Sequence, residues 1–218
     1  MLIAIDGTAA SGKGTLARLL SARLGLGHID SGKIYRLVGL RAAEQALSPE
    51  EGEKLAAIAL EICPDQLDRR DLSGQQAGAM ASRYAKNAML RHAITTMLRS
   101  CASKSSNMVV DGRDIGTEVF PMADVKIFVD ADPRVRAERR VRELTASGIA
   151  ASLKEILAEL VERDAQDRGR AASPLRVAPD AIVLDTTNLD AEGAVAAALA
   201  IVERKMRKND PRDHESCA

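Results

Sequence analysis

The chain has 218 residues, 46% of them apolar and only 2% aromatic, and its 31 basic and 31 acidic side chains cancel. That length holds one domain, or one core with a smaller inserted lobe, packed from Leu, Ile, Val, Ala and Met. Balanced charge excludes a global field drawing the chain to nucleic acid or membranes, and two Tyr, two Phe and no Trp leave no base-stacking platform for single strands.

The first apolar run, Leu2–Asp6, feeds Gly7-Thr8-Ala9-Ala10-Ser11-Gly12-Lys13-Gly14-Thr15. Leu16, Leu19, Leu20 and Leu24 follow at helical spacing. A strand, a glycine-bearing turn and a helix start make a phosphate cradle: backbone N–H groups curl around an anion at the positive end of the helix. Gly7 and Gly12 allow torsions and close approach that a side chain would block. Lys13 supplies a mobile charge for the β- and γ-phosphates of a nucleoside triphosphate. The residue after Lys13 is Gly14, and the hydroxyl arrives one place later, at Thr15. Magnesium should therefore be held by phosphate oxygens and water near Asp111, with no direct protein ligand.

Further strand-like runs lie at Gly27–Asp30, Met108–Asp111, Val125–Asp130 and Ala181–Asp185, with helical patterns between them. This alternation predicts an α/β fold: a five-stranded parallel sheet with helices on both faces. All five runs end in Asp, and strand ends in such sheets gather at one crevice. Asp132, before Pro133, reads as a helix cap. Ser152-Leu153-Lys154-Glu155 reads as a capping box, opening a helix with Leu153, Ile156, Leu157 and Leu160 inward. Asn188 or Asp190 caps a last helix with Val195, Leu199, Val202 and Met206 as its inward stripe. The order breaks between Leu47 and Arg91, where Pro64 and the charged run Asp68-Arg69-Arg70-Asp71 predict an inserted, mobile lobe. The domain reading is thus a core of 1–46 and 92–210, a lobe of 47–91, a short lid near 136–150 and a frayed tail from 211.

Asp30-Ser31-Gly32-Lys33-Ile34-Tyr35-Arg36, Asp111-Gly112-Arg113-Asp114-Ile115-Gly116-Thr117 and Arg163-Asp164-Ala165-Gln166-Asp167-Arg168-Gly169-Arg170 follow in order. Arg36 and Arg113 are planar forks suited to a monophosphate, although a surface ion pair would use the same residues. Arg163, Asp167 and Arg170 stand at i, i+4 and i+7 and so share one helix stripe. Plain intrahelical pairing, Arg163–Asp167 and Asp164–Arg168, is the simpler account of the same spacing. Arg134, Arg136, Arg139, Arg140 and Arg142 crowd nine positions, which as a bland reading is a solvated helix face. His28 reads as packing or edge.

With the loop at 7–15, these motifs resemble the bacterial cytidylate (CMP/dCMP) kinases over most of the chain. The resemblance implies transfer of a phosphoryl group from ATP, with magnesium, to CMP or dCMP. It implies that Arg36, Arg113 and Arg170 bind the acceptor phosphate, that Arg163 and Asp167 contact the sugar, and that Ser82, Arg91 and Asp114 read the cytosine. Ser31 would help seat the nucleotide. Arg136, Arg139 and Arg140 match the short lid, with Arg136 on the donor and the other two, with Lys13 and Arg113, on the transferring group. Lys33 departs from the family's usual small residue, and Ile62–Leu72 is shorter than the family's insertion. Other readings are a kinase for UMP or shikimate, or a nucleotide-binding switch; the absence of N-K-x-D, and of a Glu after the Asp111 strand, disfavours the switch. Cys63, Cys101 and Cys217, odd in number and without C-x-x-C, fit free thiols. No basic leader precedes an apolar stretch, and Ala194–Val202 is too short to span a bilayer. A cytoplasmic monomer with small-molecule substrates is expected.

Overall fold

In the computed structural model, which describes residues 1–105 and 107–208, five parallel strands form one sheet. They are β1 (Leu2–Gly7), β2 (Gly27–Asp30), β3 (Met108–Asp111), β4 (Val125–Asp130) and β5 (Ile182–Asp185), in the spatial order β2-β3-β1-β4-β5. The expected α/β class holds, with the last strand starting at Ile182 rather than Ala181. The central strand β1 pairs Ile3 with Val109 on one side and with Val125 on the other.

Among the described residues eight α-helices surround the sheet: α1 (Lys13–Leu24), α2 (Ser31–Glu44), α3 (Gly52–Leu60), α4 (Gln75–Tyr84), α5 (Ala88–Lys104), α6 (Pro133–Ala146), α7 (Leu153–Arg168) and α8 (Ala191–Lys208). The period of two along a strand sends alternate residues to opposite faces. Ile3 and Ile5 accordingly join Val109, Ile127, Leu16 and Leu20 of α1, and Val195, Ala198 and Val202 of α8. Ala4 and Val110 join Leu37, Leu55, Ile58, Tyr84, Leu90 and Leu98 on the other face. The stretch from Leu47 to Arg91 therefore adds side chains to the main core. It holds α3, α4 and two 3₁₀ turns, Pro64–Asp68 and Arg70–Ser73. α4 lies so close to α2 that a Cβ on Gly39 would come 2.8 Å from the Met80 carbonyl carbon. Only glycine fits that crossing.

Some local expectations change. Ser152 precedes α7, but its side chain makes no capping bond, so the capping box does not form. Met206 is exposed, and the buried stripe of α8 runs instead through Ala194, Val195, Ala198, Ile201 and Val202. Asp190 caps that helix, accepting from the Gly193 N–H at 2.8 Å. Asp132 caps α6 as expected. The expected frayed tail at 211–218, with Cys217, lies outside the described residues.

The segment after β3 is fixed by one buried carboxylate. Asp6, at the end of β1, accepts from the N–H groups of Ile115 and Gly116, both at 2.7 Å. These open a single π-helical turn, Ile115–Val119, a conformation that recurs at functional sites. Burial pushes the Asp6 carboxyl up to about 6 against the pull of those two donors. In Asp6→Asn the amide keeps one accepting oxygen, so one buried N–H loses its partner. The expected cost is about 1–3 kcal/mol, read as a lower urea midpoint at unchanged slope. An unchanged midpoint would show that Asp6 does not hold this turn.

Candidate active site

The turn between β1 and α1 approaches its neighbours as closely as glycine permits. A Cβ on Gly7 would stand 2.1 Å from the Val129 carbonyl oxygen. Ala10 (φ 57°) and Gly12 (φ 85°) are both left-handed, which turns successive N–H groups toward one concavity. The first turn of α1, from Lys13, adds N–H groups that have no partner within the helix. Thr8 and Ala9 face the other way, into the protein. The Thr8 hydroxyl donates to Asp130 at 2.6 Å, and the Ala9 N–H donates to Asp164 at 3.1 Å. Ser11 donates its hydroxyl to the Thr8 carbonyl at 3.0 Å, closing the loop on itself.

Lys13 lies along this loop, its ammonium 3.3 Å from the Thr8 carbonyl. The side chain is half-exposed by area, but its charged end sits deep beside Arg113, Arg163, Asp111 and Asp30. Burial, then Arg113, lowers its pKa to about 7. Asp111 is buried behind Gly14, and its Oδ1 lies 2.8 Å from the His28 ring nitrogen Nε2. Burial raises the Asp111 carboxyl. His28 is thus a partner of the site rather than plain packing, something that its place inside a strand could not reveal.

Opposite the loop the structure gathers the expected arginines. Arg113 Nε donates to Asp167 at 2.8 Å, and Arg170 pairs with the other oxygen of the same carboxylate. Burial works to raise Asp167, but Arg113, Arg170 and Arg163 outweigh it and hold the carboxyl below its usual range. Among the described residues Arg163 forms no ion pair, and its Nε is buried without a hydrogen-bond partner. Burial, together with Arg113, Arg36 and Arg170, lowers its pKa to about 10. Arg36 is likewise unpaired and shifted down, first by burial. The intrahelical pairs Arg163–Asp167 and Asp164–Arg168 do not form. Nor do Arg163, Asp167 and Arg170 share one helix, because α7 ends at Arg168 and Arg170 reaches Asp167 from beyond Gly169.

A second buried pair stands beside this cluster. Arg91 Nη2 donates to Asp114 at 2.6 Å, and both are nearly inaccessible. The Arg91 guanidinium lies over the Tyr35 ring, 5.3 Å from its centroid, and the Arg91 Nε is a further buried donor without a partner. Gly78 of α4 faces Arg163, since a Cβ there would lie 3.6 Å from Nη1. Ser82, half-buried one turn later, shares that face. Ser31 is buried and donates to the Asp111 carbonyl at 2.7 Å, joining the starts of the two motifs. Lys33 points outward to Asp68 at 3.8 Å.

The three arginines expected in the lid divide. Arg140 stays half-exposed, 3.0 Å from Glu143, and is close enough to influence Arg36. Arg139 rests on the loop before α8, donating to the carbonyls of Thr186 and Leu189 at 2.6 and 3.0 Å. Arg136 is buried, bonded to the carbonyls of Ala9 and Ala131 and to Asp164, so it is not a free clamp for donor phosphates. A cavity of about 280 Å³ opens between Gly12, Thr15, Arg139, Thr186 and Leu189.

A phosphate loop after the central strand of a parallel sheet, facing unpaired arginines, defines a P-loop kinase. Two solved structures share the fold: a gluconokinase from Sinorhizobium meliloti 1021 (TM-score 0.53, 14% identity, 94% of this chain and 93% of that one) and a shikimate kinase from Bacteroides thetaiotaomicron (0.50, 14%, 93% and 98%). The Cytidylate kinase family model matches residues 3–204. Cytidylate kinases of Rhodopseudomonas palustris (strain BisB5) and Paramagnetospirillum magneticum are 46% and 45% identical, over 93% and 94% of this chain and 96% and 98% of their own. The chain belongs to the cytidylate kinase family.

The lowered Lys13 carries a linkage. A bound polyphosphate favours the charged amine, so ADP binding should raise its pKa and take up most of one proton at pH 8. Affinity should then weaken as pH rises above 7. Titration calorimetry in buffers of different ionisation heat measures the uptake, and zero uptake would show that Lys13 is already charged in the free protein.

Proposed function

We propose that this chain moves the γ-phosphoryl group of ATP to CMP and dCMP. The single observation that supports it best is the buried Arg91–Asp114 pair beside four arginines converging on an open cleft, a base reader next to a phosphate grip. An oxygen of the acceptor phosphate forms a bond to the γ-phosphorus while the bond to the bridging oxygen of ADP breaks. A phosphate is already a competent nucleophile, so no protein base is required. Arg36, Arg113 and Arg170 hold the acceptor phosphate, Arg163 and Asp167 face the sugar, Ser31 helps seat the nucleotide, and Ser82 joins Arg91 and Asp114 in reading the base. The loop from Gly7 to Thr15 cradles the donor, with its base in the cavity under Arg139. Lys13, Arg113 and Arg140 offset charge on the transferring group, while Arg139, tied to the Thr186 and Leu189 carbonyls, borders the donor cavity; positioning and electrostatics supply nearly all of the catalysis.

Asp111 borders the start of α1, its Oδ2 3.7 Å from where a Cβ on Gly14 would stand, and a single carboxylate of this kind suits an oxygen-bound, largely hydrated ion. Asp111 would hold magnesium through water, and the ion, when bound, neutralises charge on the β- and γ-phosphates. Among the described residues no helix is long and apolar enough to cross a membrane. On this reading 47–91 is the acceptor lobe, the end of α6 is the lid, and the enzyme works as a cytoplasmic monomer.

Cytosine offers an amine donor beside the N3 acceptor, and uracil reverses both. An ionised Asp114 only accepts, and Arg91 only donates. ADP release should therefore need CMP or dCMP and proceed poorly with UMP. In Asp114→Ala the CMP:UMP ratio of kcat/KM should fall by about 10² or more, within the range that unpaired polar groups can impose. Equal ADP release with and without CMP would overturn the transfer reading. A fall in both activities at constant ratio would move base reading elsewhere.

A further inference from the structure

Asp164 and Arg136 grip Ala9 of the phosphate loop through both of its peptide groups, one at its N–H and the other at its carbonyl. Asp164 accepts the Ala9 N–H at 3.1 Å through one oxygen and pairs with Arg136 at 2.7 Å through the other. Arg136 then donates to the Ala9 carbonyl at 2.9 Å, while its Nε ties to the Ala131 carbonyl at 2.9 Å. Both side chains are at most 4% exposed. Ala9 and Ala10 also pack on the apolar seam of the α6–α7 hairpin, with Ala137, Ile156 and Leu160.

The residue after the gripped one is Ala10, in a left-handed conformation that alanine adopts only where its surroundings impose it. Freed, its backbone would relax to negative φ and swing the following N–H groups out of their concavity. Asp164 also sits on α7 between Arg163 and Asp167, which face the arginine cluster. One helix face thus reaches the donor loop and the acceptor cleft together.

We infer that Arg136 and Asp164 are positioning residues: a buried bracket that holds Ala9, imposes the left-handed turn at Ala10 and sets the donor loop in register with the acceptor contacts of α7. The inference rests on reading residues 7–15 as the donor loop, and deepens that reading. The Ala9 N–H is occupied by the bracket and is not a phosphate donor. The pair carries no net charge, so it shapes the loop without weakening its pull on anions.

The test uses ADP as probe, which needs no phosphoryl transfer. Asp164→Asn should weaken ADP binding at least tenfold while CMP binding stays within threefold. The double variant Arg136→Met/Asp164→Leu replaces the pair by apolar side chains of similar volume and leaves no buried charge unpaired. The Ala9 N–H and the Ala9 and Ala131 carbonyls lose their partners, so its melting temperature should fall, and ADP affinity, measured below that midpoint, should still be down at least tenfold. Recovery of ADP affinity to within threefold in the double variant would overturn the inference, since the pair would then only fill space. An equal loss of CMP binding would overturn it too, by placing the effect on α7 as a whole. In the unmodified protein the Ala9 amide should exchange with solvent as slowly as the amides of β1, and free exchange would overturn the bracket even if neither variant folds. Should the wild type bind ADP but release none from ATP with CMP, the transferase reading fails while the bracket stands.

Discussion

An excess of buried positive charge governs this molecule. The chain as a whole is neutral, yet the five cations Lys13, Arg36, Arg113, Arg163 and Arg170 meet around the three carboxylates Asp30, Asp111 and Asp167. Burial penalises these charges first and their like neighbours add to it, which is why Lys13 falls to about 7 and Arg163 to about 10. The folded protein tolerates this because the rest of the structure holds those groups in place, with Lys13, Arg36 and Arg163 in no ion pair among the described residues. An anion of several negative charges entering the cleft resolves the conflict. Affinity for phosphates is in this sense stored in the fold.

Around that unbalanced centre, the supporting charges are balanced one to one. Asp164 answers Arg136, Asp114 answers Arg91, and Lys126 finds Asp180. Thr8 and the Ile115 and Gly116 N–H groups take the carboxylates at the ends of β4 and β1. A buried pair contributes little net stability over apolar replacements, but breaking one leaves an uncompensated charge that costs several kcal/mol, about 3–5. The pairs therefore specify geometry. They fix the loop, the Arg91–Asp114 corner and the segment after β3 at the carboxyl end of the sheet, so that the unpaired arginines converge.

The five Asp residues ending the strand runs illustrate how strand ends gather function and support together. Asp30 caps α2 by accepting from the Lys33 N–H, Asp111 meets His28, and Asp185 holds the turn at Thr187. Identical residues at equivalent places thus serve as helix cap, site carboxylate and turn anchor. What separates them is the segment that each strand end faces, and that follows from the strand order, with β1 in the centre.

Strands, most helices and the phosphate loop were legible in the sequence because their signals are local. Apolar periodicity, a glycine-bearing turn and a Pro-flanked cap act within a few residues, and the residues that form them are neighbours in the chain. The positions of Arg36, Arg113, Asp114, Arg163, Asp167 and Arg170 were legible too, through the order of their motifs. Which charge pairs with which was not. The i,i+4 spacing of Arg163 with Asp167 and of Asp164 with Arg168 favours intrahelical pairs by only about 0.2–0.5 kcal/mol on an exposed helix. Burial against other segments brings Arg113 and Arg136 to those carboxylates, where charge-assisted bonds are about twice as strong as neutral ones. Arg136 moved from lid to loop support, and His28 and Asp164 gained partners, for the same reason. Local propensity determined the elements and their order; the partners of each buried charge were decided by which surfaces the sheet brought together, since desolvation sets the strength of every such contact.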